Sequence, residues 1–595
     1  MTASMKDVEK RLHTVRAEMI AAGLDALVIP RTDEYLGEYV PEHNERLRWI
    51  SGFTGSAGVA IILKEHAAIF VDGRYSIQVR QQASGSLFDF HHLIEDPPFK
   101  WLARTLKKGS RVGIDSRLHS YSSYKSARDL LEPLEISLIE IEDNPVDNLW
   151  VDRPAPEPKP ALLLGEEFTG EHSSSKRERI GAIIEDNDCD VALITQLDSI
   201  AWLLNIRGSD IPCLPVLLGF AILAKNGEMT FFTDARKIPN DFLQHVGEGV
   251  TVQKEPTISD ALRLMGVDST KVLIDETATN AFSVLRCMEH GCEIVAEKDP
   301  VLVPKAQKNA IEIAGARNCH IRDGAAVSRY LAWIEHEVSN SALHDEATLA
   351  DRLESFRREA EKLHDLSFDT ISASAANAAQ CHYNHKNGTP AKLEMNSLYL
   401  VDSGGNYFDG TTDITRTVAI GEPSDEHRRM FTLVLKGHIA LTTCIFPKDT
   451  NGTQLDVLAR QFLWQEGFDY DHGTGHGVGS FLSVHEGPQR ISKNFDAGAV
   501  LLPGMVLSNE PGYYKEDCYG IRCENLMIVV EGPDSMLSFE TLTFVPFDLR
   551  LVNRNLMTET EIGWLNEYHA KVNKKLSPLL AGDDLHWLEH STVAI

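Results

Sequence analysis

Between Leu398 and Glu524 the chain carries acidic residues at glycine-punctuated turns that leave few choices of fold. Leu400-Val-Asp402-Ser-Gly-Gly is followed by Thr411-Thr-Asp413-Ile-Thr-Arg, and Ser508-Asn-Glu510-Pro-Gly by Gly520-Ile-Arg-Cys-Glu524-Asn. Each pair reads as two apolar strands around a Gly-rich turn, so that two carboxylates face one side of a hairpin. Between the pairs stands His472-Gly-Thr-Gly-His476-Gly-Val-Gly. The four glycines argue against a helical zinc-binding histidine pair and for extended backbone, with one histidine ligating and the other free for hydrogen bonds. Any one of these acids alone reads as turn chemistry. Four of them around one imidazole suit two hard divalent ions about 3.5–4 Å apart. Oxygen-rich ligation with one nitrogen favours Mn²⁺, Co²⁺ or Zn²⁺ over a thiolate site. The stretch reads as a two-metal hydrolase centre.

The rest of the chain reads as a multidomain α/β and α+β protein. At 595 residues it exceeds a single core, and roughly three or four domains are expected. Val8, Leu12, Val15, Met19 and Ile20 recur at helical spacing up to Gly23, a C-cap. Asp25–Pro30, Gly58–Leu63 and Ala68–Val71 read as strands, with helix from Tyr75. The same order returns about 160 residues later, at Asp190–Thr195, Gly219–Ala224 and Met229–Thr233, and Asp72-Gly-Arg74 has its counterpart in Asp234-Ala-Arg236. These read as turn-fixing ion pairs in a duplicated domain. The proline-rich stretch Trp150–Pro160 is a stiff linker between the copies. A second boundary falls near Asp299–Pro304. Domains are placed at 1–155, 160–303 and 304–535, with a C-terminal extension at 536–595 packed on the third. In that extension Leu542–Leu551 reads as strand-like and Glu559–Lys575 as helix.

Composition removes some partners. With 58 basic against 87 acidic residues the formal charge is −29, which disfavours a nucleic-acid backbone. No apolar run approaches the roughly 20 residues of a membrane helix, and the N-terminus lacks a signal-peptide core. Nine cysteines without framework spacing suggest reduced thiols and a cytoplasmic location.

Asp402, Asp413, His476, Glu510 and Glu524, in their motifs, resemble the ligand set of the "pita-bread" metallopeptidases, which include methionine aminopeptidase, prolidase, aminopeptidase P and the metal-free creatinase. Arg48–Gly58, Phe70–Arg74, Trp150–Pro154 and Ala201–Asp210 resemble the two creatinase-like N-terminal domains of the three-domain, cytosolic-type aminopeptidase P branch. His472–Pro488 is similar to that branch almost throughout. The resemblance implies two creatinase-like α/β domains followed by a pita-bread catalytic domain. It implies hydrolysis of the bond between an N-terminal residue and a penultimate proline by a hydroxide between two metal ions. Mn²⁺ is the expected metal, with Zn²⁺ or Co²⁺ as alternatives.

By the same resemblance Glu510, a ligand, also takes the proton from the attacking water. His382 in Cys381-His-Tyr-Asn-His385 contacts substrate near the scissile carbonyl, His485 stabilises the oxyanion and His472 lines the proline pocket; His385 is left as structural. Prolidase, acting on Xaa-Pro dipeptides, is the alternative enzyme, and a metal-free peptide- or protein-binding module the alternative outside enzymes. The N-terminal repeats carry no catalytic constellation and are expected to narrow the cleft and build a homodimer.

Overall fold

A computed structural model describes residues 5–494 and 499–595. The chain forms two compact units: Met1–Gly165 with Glu171–Leu302, and Glu166–Gly170 with Val303–Ile595.

The first unit holds two six-stranded sheets with one topology. In the first, Ala26–Pro30 is central, antiparallel to Val59–Leu63 and parallel to Arg111–Ile114. Ala67–Val71 and Asp89–His92 extend it on one side and Ser137–Glu140 on the other. In the second, Val191–Ile194 takes the central place between antiparallel Phe220–Ala224 and parallel Lys271–Ile274. The flanking strands repeat in order and direction, so the duplication seen in sequence is a duplication of fold. The two central strands are apolar and buried almost throughout, the pattern of strands covered on both faces.

Helix Met5–Ala21 buries Val8, Leu12, Val15 and Met19, and ends at Gly23 with φ +69. Ile20 departs from the expectation: it lies 53% exposed, beside rather than on the buried stripe. Asp72 and Asp234 each accept the backbone N–H of the arginine two residues on and pair with its guanidinium, at 2.8 and 2.6 Å. Asp-x-Arg is thus a local turn device, used again at Asp115–Arg117 and Asp548–Arg550.

The second unit opens on helix Ala310–Ser339, capped by Asn309 and Glu312 in a reciprocal box. A three-stranded sheet places Ser397–Ser403 between Ile371–Ser374 and Ile414–Ile420. A five-stranded sheet runs in the order Glu486–Ile491, Gly475–Gly477, Val506–Asn509, Asn525–Glu531, Leu537–Thr541. Helices Asp425–Thr442 and Gly452–Trp464 pack on each other, and Phe431, Val434, Leu435 and Leu463 share one core with the C-terminal helix residues Leu565, Val572 and Leu576. Each such side chain contributes about 1.5–3 kcal/mol by leaving water.

Leu542–Leu551 is not a strand. The last strand stops at Thr541, and Leu549–Leu551 is a short 3-10 turn. Pro546 has no N–H to offer a neighbour, and the Val545 carbonyl is taken by Arg416 Nη2 and the Tyr568 hydroxyl instead. The helix beyond it, Glu559–Leu576, is as expected.

Candidate metal centre

Both acidic hairpins pair in two tiers, and the acids stand at or beside the breaks. In the first, Asp402 pairs with Thr415 and Ser403 with Ile414, while a second short pairing joins Asn406 to Thr411. Asp402 is the penultimate residue of its strand, and Asp413 lies in the gap before Ile414–Ile420. In the second hairpin, Asn509 pairs with Asn525 and Gly512 with Arg522. Glu510 and Glu524 occupy the gap on either arm, where Pro511 interrupts the ladder. The expected hairpins form, and the pairing of each is interrupted where the acids stand.

His476 is the middle residue of the short strand Gly475–Gly477, which confirms extended backbone there. Its Nδ1 lies 3.0 Å from the Gly477 carbonyl, which fixes the proton on Nδ1 and turns the Nε2 lone pair outward. Nε2 lies 3.4 Å from Asp413 Oδ2 and 3.5 Å from Glu510 Oε1. Ligand atoms of Asp413, His476 and Glu524 all fall within 4.8 Å of one another.

Three of the four carboxylates are each tied by one oxygen to a neighbouring side chain. Asp402 Oδ2 accepts from Arg522 Nη2 at 2.5 Å, Glu524 Oε2 from the Thr415 hydroxyl at 2.7 Å, and Glu510 Oε1 from the Ser508 hydroxyl at 3.2 Å. Asp402 Oδ1, Asp413 Oδ1 and Glu524 Oε1 are buried without a hydrogen-bond donor. Buried acceptors without donors are costly, and converging ones with an imidazole lone pair are a cation's donor set. The residues fit divalent metal.

Electrostatics agree. Burial, reinforced by the neighbouring carboxylates, pushes Asp413 and Glu524 well above the usual carboxylate range. Burial, with Asp402 adding to it and Arg522 and His485 opposing, raises Glu510 from 4.5 to about 7. In the metal-free protein the folded Glu510 therefore keeps a proton that the unfolded chain has released. Its contribution to stability is intact below about pH 4.5 and lost as pH rises through about 7. Cations held by these residues would take over the proton's role. The rise in Tm on adding Mn²⁺ should accordingly grow between pH 5.5 and pH 8 in calorimetric scans. An equal or larger rise at pH 5.5 would contradict binding among these carboxylates.

The other histidines divide. The His485 ring packs edge-on against His476 with centroids 4.4 Å apart, which brings it to the ligands. His472 Nε2 meets the Tyr514 hydroxyl at 2.8 Å, and Arg522 Nη1 donates to that same hydroxyl at 2.7 Å. His472 is thereby linked to Asp402 through Tyr514 and Arg522. His382 is half-buried in the turn after Ala375–Ala379. Its loop is tied down by Glu346, whose carboxylate accepts from Ser374 N, Asn377 Nδ2, Tyr383 OH and Ala391 N at 2.7–2.9 Å. His385 is buried, as a structural residue would be.

Arg522, Tyr514, Thr415 and Glu346 escape a reading based on ligand chemistry. Arg522 stands two residues before Glu524, at the end of strand Tyr519–Arg522, but its partner Asp402 lies 120 residues away, and no local pattern signals that pairing. Behind His485, Glu486 is fully buried between Lys305, at 3.0 Å, and Lys308. All nine cysteines are free thiols, Cys287 and Cys292 among the buried ones. No helix among the described residues is long and apolar enough to cross a membrane.

Comparison with known proteins covers the whole length. A model of metallopeptidase family M24 matches residues 314–531, and one for its C-terminal region matches 535–595. Two models of the creatinase/prolidase N-terminal domain match residues 11–143 and 152–312. A protein of Botryotinia fuckeliana named "Probable Xaa-Pro aminopeptidase P" is 40% identical over 606 residues, covering 98% of this chain and 92% of the relative. A namesake in Tuber melanosporum is 38% identical, covering 99% of both. Among solved structures, X-prolyl aminopeptidase from Caenorhabditis elegans, described as a cytosolic enzyme with a di-nuclear active site, superposes with TM-score 0.94 at 34% identity over 99% of this chain and 100% of that one. Xaa-Pro dipeptidase from Bacillus anthracis, at 26% identity and TM-score 0.51, covers 64% of this chain and 99% of its own.

Proposed function

We infer that this chain, which belongs to metallopeptidase family M24, is an Xaa-Pro aminopeptidase that hydrolyses the bond between an N-terminal residue and a penultimate proline. The observation that carries this reading is the end-to-end likeness to an X-prolyl aminopeptidase, where the dipeptidase matches only about two thirds of the chain. Asp402, Asp413, His476, Glu510 and Glu524 would hold two divalent ions, which we assign as Mn²⁺ on the oxygen-rich donor set. Such a pair supplies a water acidic enough to attack near neutral pH and a Lewis acid for the carbonyl.

The chain's own residues supply the rest. Glu510 stands with Oε1 toward His476 and accepts the proton from the attacking water. His485, against the His476 ring, offers an N–H to the oxygen that gains charge at the scissile carbonyl. His472, anchored on Tyr514, serves the proline side, and His382 the carbonyl side from its Glu346-tethered loop. An Xaa-Pro amide has no N–H and a restricted preceding residue, so peptidases that pair their substrate as an extended strand reject it. A site built on side chains avoids that requirement. We further assign the N-terminal repeats to homodimer formation and the enzyme to the cytoplasm, the location named for the Caenorhabditis elegans protein.

Metal-depleted protein, with and without added Mn²⁺, is to be assayed on Arg-Pro-Pro, Arg-Ala-Ala and Arg-Pro. Mn²⁺-dependent release of arginine from Arg-Pro-Pro, with Arg-Ala-Ala untouched, is the expected result. Cleavage confined to Arg-Pro would make the enzyme a prolidase, and no cleavage with any metal would overturn the catalytic reading.

A further inference from the structure

Arg416 is buried to 1% exposure on the strand that follows Asp413. Strand alternation turns Thr415 toward the Glu524 carboxylate and Arg416 to the opposite face. There its guanidinium meets six oxygens. Nη1 donates to the carbonyls of Glu524 at 2.5 Å and Thr415 at 2.9 Å. Nη2 reaches Asn525 Oδ1 at 2.8 Å, Val545 O at 2.7 Å and the Tyr568 hydroxyl at 3.0 Å, and Nε reaches Pro546 O at 3.2 Å. Half of these oxygens belong to the ligand-bearing strands and half to the C-terminal extension.

The network continues to the other ligand arm. Asn525 Nδ2 lies 3.3 Å from His438 Nε2, and His438 Nδ1 lies 3.1 Å from the Asn509 carbonyl. Asn525 follows Glu524 and Asn509 precedes Glu510. His438 is fully buried and uses both ring nitrogens. The Tyr568 hydroxyl, in turn, donates to Val545 O at 2.8 Å.

We propose that the C-terminal extension is part of the metal centre's support: Tyr568 is a positioning residue that acts through Arg416 on Glu524, and through Asn525 and His438 on Glu510. The planar fork of Arg416 fixes the peptide unit that carries Glu524, and Tyr568 fixes the fork. Lysine in its place would keep the charge but could not span three chain segments. The proposal rests on the ligand assignment above.

The test is Mn²⁺ titration of metal-depleted full-length protein by calorimetry, with Tm of the metal-free protein measured alongside. Tyr568→Phe is expected to weaken Mn²⁺ binding about tenfold, as loss of a partner behind a ligand does, with little change in Tm. Leu588→Ala, on the last helix with a fully buried side chain that has no hydrogen-bonding group to offer the Arg416 network, is expected to lower Tm and leave Mn²⁺ affinity unchanged. Wild-type affinity in Tyr568→Phe, or an equal loss in Leu588→Ala, would overturn the proposal. Should Tyr568→Phe not fold, Arg416→Lys is titrated in its place, and undiminished affinity there overturns the proposal as well. Wild-type protein that takes up no Mn²⁺ would overturn the ligand assignment and the proposal together.

Discussion

Glu510→Gln is expected to fold and to lose hydrolysis of Arg-Pro-Pro by a factor on the order of 10³–10⁴ in kcat/KM, the upper range for removing a general base. The substitution keeps volume and shape but replaces a carboxylate by an amide. An amide neither accepts the proton from the attacking water nor offers an anionic oxygen to a cation beside His476 Nε2, 3.5 Å away in the native site. The same change removes the charge whose burial, with Asp402 adding to it, raises Glu510 to about 7. Metal-free Glu510→Gln should therefore melt at a higher temperature than metal-free wild type at pH 8, and this advantage should shrink toward pH 5. Activity within tenfold of wild type at saturating Mn²⁺ would remove Glu510 from the mechanism. A lower Tm at pH 8 would contradict a site in which burial penalises the Glu510 charge.

What could be read from sequence follows the range of the interactions involved. The acids, the glycines and the duplicated α/β order are local patterns, and they place ligands and sheets. The interruption of each hairpin is less legible, because it depends on pairings that resume beyond the break and, in the second hairpin, on Pro511. Least legible were the buried cations. Arg416 reaches Val545 across 129 residues, and Arg522 reaches Asp402 across 120, so neither leaves a periodic trace. Leu542–Leu551 misleads for the same reason: its apolar residues look like a strand, but its backbone bonds to an arginine and a tyrosine hydroxyl. Ile20 shows the converse, an apolar residue at nearly the right spacing that falls just off the buried stripe.

The largest effect on architecture is expected from a single methyl group at Gly404. This residue follows Ser403 in the turn between Asp402 and Asp413, and its φ is not in the left-handed region, so backbone strain is not what demands glycine. Space demands it. A Cβ would lie 1.9 Å from the Thr412 carbonyl oxygen and 2.2 Å from Ser367 Oγ. The serine could rotate, at the cost of its 2.9 Å bond to Thr412 O, but the carbonyl belongs to the peptide unit immediately before Asp413. Relieving the clash shifts the peptide unit that carries Asp413, whose Oδ2 now lies 3.4 Å from His476 Nε2. Overpacking of a dense interior costs about 1–3 kcal/mol, occasionally more, and here the distortion falls on the metal site. Gly404→Ala is expected to lower Tm and to weaken Mn²⁺ binding more than Tyr568→Phe does. Gly563→Ala supplies the contrast, since nothing lies within 4 Å of its would-be Cβ on helix Glu559–Leu576. There alanine should stabilise by up to about 1 kcal/mol through helix propensity. Scanning calorimetry and Mn²⁺ titration of the two variants decide the matter: wild-type Tm and affinity in Gly404→Ala would mean that the two acidic strands are not held together by that close approach.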